Sequence, residues 1–126
     1  VTLTNTDWKV YLSRQSIGDF QIARAGWIGD YIDPKSFLDM MVTGRGNNQT
    51  GWSNKEYDNL LIAAANSTSQ EERYKNFYDA EKILIDEMPV IPIYTYTRIY
   101  MLHEQVQGWG DNLLDSRPYQ FVYLEN

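Results

Sequence analysis

The stretch from Ser53 to Pro89, SNKEYDNLLIAAANSTSQEERYKNFYDAEKILIDEMP, decides how the rest of the chain is read. It holds two helix starts, Ser53-Asn54-Lys55-Glu56 and Ser69-Gln70-Glu71-Glu72. Each has the capping-box pattern, in which a serine hydroxyl and a glutamate carboxylate satisfy the free amides of the first turn reciprocally. Behind the first start, Tyr57, Leu60, Leu61, Ala64 and Ala65 fall on one helical face; behind the second, Tyr74, Phe77, Ala80, Leu84 and Met88 do the same. Glu71 and Glu72 sit in a first turn, where the helix dipole favours acids. Pro89 ends the second helix, because it lacks the amide that continuation needs. The stretch therefore predicts an αα-hairpin.

Working outward toward the amino terminus, Thr43 to Trp52 is rich in Gly and Asn and reads as a loop. Asp33-Pro34 reads as an N-cap with proline at the first helical position, opening a short helix to about Met41. Asp19 to Trp27 alternates like a strand, with Phe20, Ile22 and Arg24 on one face, so that the Arg24 guanidinium needs a partner. A helix from Thr6 to about Gln15, capped by Asn5, aligns Trp8, Tyr11 and Leu12, and Val1 to Thr4 reads as a strand end. Trp8, Tyr74 and Phe77 are expected in the core. Beyond Pro89, strands are expected at Val90 to Tyr96, Arg98 to His103 and Phe121 to Leu124, the first confined by Pro92 to an edge or a bulge. Helices bracketed by dispersed strands predict an α/β layer architecture whose strands belong to a larger mixed sheet.

The composition excludes several function classes. With 17 acidic against 11 basic residues, a net charge of −6 over 126 residues, the chain lacks the basic face that nucleic-acid phosphates require. The absence of cysteine excludes a disulfide scaffold, thiolate metal sites and cysteine catalysis, and the lone His103 excludes clustered-histidine zinc chemistry. No apolar run approaches the roughly 20 residues of a membrane span. The sequence begins at Val1 with no signal-peptide pattern, as expected of a trimmed precursor or a fragment. Ten Tyr, four Trp and four Phe suit either a binding cleft or an ordinary core.

The densest chemistry lies in Arg24-Ala25-Gly26-Trp27-Ile28-Gly29-Asp30-Tyr31, where the expected strand runs out into a loop, the usual place for a ligand in an α/β sheet. Asp30 suits an ammonium group and Arg24 a carboxylate. Trp27 offers an apolar wall, and the main chain of Gly26 to Ile28 suits an extended peptide added as a strand. A structural reading stands beside this one, with Asp30 capping a turn and Arg24 paired to a nearby acid. Asp33 is better explained as the cap before Pro34. Asp30 and Asp33 together could form the acid and base of a carbohydrate-active enzyme, yet Asp33 already has a structural task. No nucleophile elbow, P-loop, zincin or dinucleotide motif is present. Asn48-Gln49-Thr50 and Asn66-Ser67-Thr68 match the short glycosylation acceptor pattern.

Taken in order, Trp8-Lys9-Val10-Tyr11-Leu12, Ala23-Arg24-Ala25-Gly26-Trp27, Gly29-Asp30-Tyr31, Asp33-Pro34, Ser36-Phe37-Leu38, Gly46-Asn47-Asn48, Thr50-Gly51-Trp52, Ala80-Glu81, Ile85-Asp86-Glu87-Met88-Pro89 and Ile91-Pro92-Ile93-Tyr94 carry a resemblance. The chain resembles the carboxyl-terminal part of the family 5 solute-binding proteins, the oligopeptide- and dipeptide-binding components of bacterial ABC importers. The resemblance implies part of a two-lobed, periplasmic-binding-protein type II fold. Residues 1–88 would belong to the second lobe, and residues 89–126 would return across the hinge to the first. It implies no catalysis, cofactor or metal. It implies a short peptide ligand, membrane subunits of an importer and the remaining lobe of the same chain as partners, and an extracytoplasmic location. It makes Asp30 the anchor of the peptide amino group, Gly26 to Ile28 main-chain contacts, Trp27 a pocket wall, Arg24 a carboxylate partner and Tyr96 a contact from the hinge side. A second arginine of the pattern falls at Gln15, with Arg14 one residue away. Relatives of this fold that carry nickel complexes, haem or sugars are the alternative ligand class.

Overall fold

A computed structural model describes residues 2–112, 114 and 116–125. The hairpin forms as expected. Helix α3 spans Lys55–Asn66 and helix α4 spans Gln70–Glu87, and their packing dominates the tertiary structure. Their starts follow the sequence signals with one shift. Asn54, not Ser53, caps α3: its side chain accepts from the amides of Glu56 and Tyr57 at 2.9 and 3.0 Å. Either residue is a good cap, and the extended backbone at Asn54 (φ −141°, ψ 114°) aims its short side chain at the free amides. Ser69 caps α4 through the Glu72 amide, while the Glu72 carboxylate accepts from the Ser67 hydroxyl instead of closing the box. Met88, in the left-handed region at φ 53°, ends α4 one residue before Pro89.

Two shorter elements precede the hairpin: helix α1 at Trp8–Ser16, capped by Asp7 rather than Asn5, and helix α2 at Lys35–Leu38, continued by a 3-10 turn at Asp39–Met41. The α2 turn packs on α4, and the core sits between it and the hairpin. Leu38, Met41, Tyr57, Leu61, Ala64, Phe77 and Ala80 are buried. Tyr57 is wholly buried and its hydroxyl donates to the Leu38 carbonyl at 2.5 Å. Asn48 ties the intervening loop down, donating to the carbonyls of Met41, Val42 and Trp52 and accepting from Thr50. That amide is therefore occupied by loop structure. Glu87 closes the same loop onto the end of α4 by accepting from Trp52 Nε1 and Asn54 Nδ2.

The strands differ most from expectation. Residues 19–27 and 90–103 form no ladder among the described residues, and the only sheet there is a two-residue antiparallel pair, β1 (Val106–Gln107) with β2 (Tyr123–Leu124). Only β2 falls within an expected strand. A strand exists through its neighbour, and here none lies alongside. Residues 2–4 of the expected first strand are likewise unpaired, and Val1 lies outside the described residues. Trp8, expected in the core, is 64% exposed and stacks on Tyr11, while Tyr74 is about half exposed; of the three aromatics assigned to the core, Phe77 alone is buried. Ile22 is exposed as well. Near the carboxyl end, the Arg117 guanidinium lies over the rings of Tyr100 and Trp109 at 5.3 and 5.0 Å.

Tyr57→Phe should lower stability by about 1–3 kcal/mol, because the Leu38 carbonyl would keep its burial and lose its donor. Tyr78→Phe on the exposed face of α4 serves as the control and should change little. Urea midpoints test this, and equal shifts for the two variants would refute it.

Candidate functional site

The loop 24–31 is held from both ends. At its start, the Tyr11 hydroxyl of α1 donates to the Arg24 carbonyl at 2.6 Å. At its end, Ser36 in α2 takes two bonds: its hydroxyl accepts from the Asp30 amide at 2.7 Å, and its carbonyl accepts from Trp27 Nε1 at 3.0 Å. Ser36 is buried, whereas the loop residues are exposed or half-buried. Gly29 presses against the same helix. A Cβ there would meet the Phe37 ring at 3.1 Å and Ser36 Oγ at 3.4 Å, so any side chain would displace the Phe37 ring.

The expected site residues divide into two groups. Arg24, Gly26 and Tyr96 come together: the Arg24 guanidinium lies 5.6 Å from the Tyr96 ring centre, and a Cβ on Gly26 would touch that ring at 3.7 Å. Arg24 thus finds an aromatic face and, among the described residues, no acidic partner of the kind that a structural role would supply. Tyr96 in turn packs edge-on against Tyr94. Trp27 and Asp30 form the second group, joined through Ser36, with Ile28 exposed between them. Among the described residues, the amides of Gly26, Trp27 and Ile28 make no hydrogen bond, and the Asp30 carboxylate makes neither an ion pair nor a hydrogen bond. Asp30 is therefore not a turn cap. Arg14 pairs with Asp19 at 3.5 Å, away from Arg24's aromatic partner.

Asp33 has the structural role that its sequence position predicts. One carboxylate oxygen accepts from the Lys35 amide at 2.9 Å, and the other pairs with Arg73 of α4 at 2.7 Å. Partial burial pushes its pKa up, but the Lys35 amide and then the hydrogen bond and charge of Arg73 outweigh this and hold it below the ordinary value. A carboxylate fixed in this way is a poor general acid or base, which removes half of the acid–base pair. Partial burial, then the charges of Asp39, Asp33 and Asp30, push the Tyr31 phenol up, with Arg45 opposing. The carboxylates of Asp39, Asp33 and Asp30 thus all lie near the Tyr31 phenol, with Asp33 paired to Arg73 and Asp39 to Arg45.

Sequence reasoning missed Ser36 and Arg73 as supports of the site. Arg73 lies 40 positions from Asp33, and nothing local announces the pairing. Among the described residues, no group of acidic or histidine side chains is arranged to hold a metal, and no helix is long and apolar enough to cross a membrane.

No family model matches the chain. It is 42% identical over 108 residues to the dipeptide-binding protein DppE of Bacillus subtilis, a match covering 86% of this chain and 20% of that protein. The solved structure of the murein tripeptide-binding protein MppA of Escherichia coli superposes with a TM-score of 0.89 at 31% identity, covering 98% of this chain and 24% of that one. Haemophilus influenzae OppA, solved in complex with the peptide RPPGFSPFR, gives a TM-score of 0.88 at 28% identity, with coverage of 98% and 24%. The chain spans about a fifth of the length of the curated relatives it matches. These matches agree with the fold class expected from the sequence, an α/β segment of a two-lobed binding protein.

The Asp33–Arg73 pair makes stability depend on pH in a defined sense. Because the folded carboxyl lies below its ordinary value of 3.8, its contribution is complete above about pH 5 and disappears as pH falls through the lower folded value. Asp33→Asn should therefore cost about 1–2 kcal/mol at neutral pH, a gap that narrows at an acidic pH below the ordinary carboxyl value of 3.8. Denaturation midpoints at the two pH values test it; a gap that persists in acid would exclude the ion pair as its source.

Proposed function

We propose that this chain, homologous along its length to a segment of the bacterial oligopeptide- and dipeptide-binding proteins, supplies one wall of a peptide-binding cleft. The observation that carries the reading is the exposed Asp30 carboxylate, without a partner among the described residues, on a loop whose neighbouring amides are also unused. Asp30 takes the ammonium group of a short peptide. The main chain of Gly26 to Ile28 pairs with the peptide backbone, Trp27 borders a side-chain pocket, and Arg24 with Tyr96 forms the far end, where a carboxylate is received. Such a site reads the amino terminus strictly and the side chains loosely, since main-chain pairing ignores side-chain identity.

In this reading the whole protein is an extracytoplasmic, non-enzymatic carrier that closes two lobes over its ligand and delivers it to an ABC importer. Residues 1–88 belong to the second lobe, and residues 89–126 return to the first. The end of α4 at the left-handed Met88 supports that division, as does the absence of longer helices among the described residues beyond it. The isolated 126 residues, holding one wall of the cleft, bind no peptide on their own. The remaining lobe of the parent chain is thus the first partner, and the importer subunits are the second.

In the full-length protein, Asp30→Asn should weaken binding of a free-amine peptide by about a hundredfold or more, because the ammonium would lose its buried counter-charge on closure. An N-acetylated peptide should lose far less. Equal losses would count against the amine anchor. Native mass spectrometry of the unmutated protein should show co-purifying short peptides; a sugar, metal chelate or haem in their place would overturn the ligand assignment.

A further inference from the structure

We infer that Ser36 is a positioning residue that sets the preference for a free amino terminus, by fixing the backbone from which Asp30 projects. This rests on the peptide-binding reading above. The Asp30 carboxylate has no side-chain partner among the described residues, so its place depends on its own backbone. That backbone is held through the Asp30 amide, whose acceptor is the buried Ser36 hydroxyl at 2.7 Å.

Ser36 is itself anchored to the core on both sides. Three residues earlier, Asp33 is clasped by Arg73 of α4; two residues later, the Leu38 carbonyl is held by Tyr57 of α3. A continuous set of contacts therefore runs from the hairpin through Ser36 to Asp30. The Ser36 carbonyl extends it to Trp27, so one residue sets the spacing between the amine anchor and the adjoining pocket wall. The close approach of Gly29 to Phe37 and Ser36 lets the loop lie directly against α2, within reach of the Ser36 hydroxyl. An ion pair weakens as its charges separate, so loosening the Asp30 backbone costs the amine contact, which an acetylated peptide does not make, and lowers the ratio of the two affinities.

The experiment uses the full-length parent protein, with trialanine and N-acetyl-trialanine titrated calorimetrically into the unmutated protein, Ser36→Ala, Ser36→Thr and Asp30→Asn. Ser36→Ala should lower the ratio of free-amine to acetylated affinity about tenfold, the effect of one hydrogen bond. Ser36→Thr, which keeps the hydroxyl, should recover most of it, and Asp30→Asn should abolish the preference. If Asp30→Asn abolishes the preference and Ser36→Ala leaves it intact, the role of Ser36 is overturned while the amine anchor stands. If Asp30→Asn leaves the preference intact, the anchor itself is wrong and this inference falls with it. Amide hydrogen exchange on the unmutated protein gives a readout that does not depend on any variant folding. The Asp30 amide should exchange at least tenfold more slowly than an unprotected amide, and exchange at the unprotected rate would overturn the assignment.

Discussion

The bond from the Tyr57 hydroxyl to the Leu38 carbonyl holds the two halves of the core together. A phenol can be wholly buried only if its hydroxyl finds a partner, and the carbonyl of the α2 turn provides one. Burial pushes the phenol pKa up, with a further push from the nearby carboxylates of Asp39 and Asp58, so the group remains a neutral donor across the physiological range. The consequence is positional. With α2 pinned to α3 by Tyr57 and to α4 by Arg73, the loop that carries Trp27 and Asp30 has a rigid base. Without that base, the loop would lose the two bonds to Ser36 that hold Trp27 and Asp30.

How much of this was legible in the sequence follows from the range of each interaction. The hairpin was legible because helix periodicity and caps are written within a few residues. Even the shift of the cap from Ser53 to Asn54 is a choice between adjacent, chemically similar groups. The task of Asp33 was legible for the same reason, since its partner at Lys35 is two residues away. The strands were not, because alternation in residues 19–27 and 90–103 records a propensity, while a ladder needs a second strand from elsewhere. Trp8 misled because its stripe with Tyr11 is real and yet faces outward, stacking ring on ring. Arg73 and Ser36, which position the loop, act over folded distances that no local pattern encodes. The candidate residues themselves stood out by type, whereas their pairing of Arg24 with Tyr96 required the fold.

The aromatic residues divide in a way that composition could not show. Tyr57 and Phe77 belong to the core, and Trp52 packs edge-on against Tyr57. Tyr96 beneath Arg24, and Tyr100 with Trp109 around Arg117, receive guanidinium groups outside the core, while Phe77 does both, lying in the core with Arg73 over its ring. Of these arginines, Arg73 is also paired with Asp33 and Arg117 with Asp111, whereas the Tyr96 ring holds Arg24 in place without neutralising its charge.

The unpaired segment beyond Pro89 bears on how the chain behaves in solution. Ile93-Tyr94-Thr95-Tyr96-Thr97 is an uncharged run of β-favouring residues, and Ile99-Tyr100-Met101-Leu102 follows after a single arginine. Ile93, Ile99 and Met101 are more than four-fifths exposed, and the backbone beside them has no ladder partner among the described residues. Such a segment is a template for intermolecular β pairing. Pro92 and Arg98 are the interruptions along it. A strand laid beside this segment would therefore also protect it against aggregation, and with its edges uncovered the segment favours self-association.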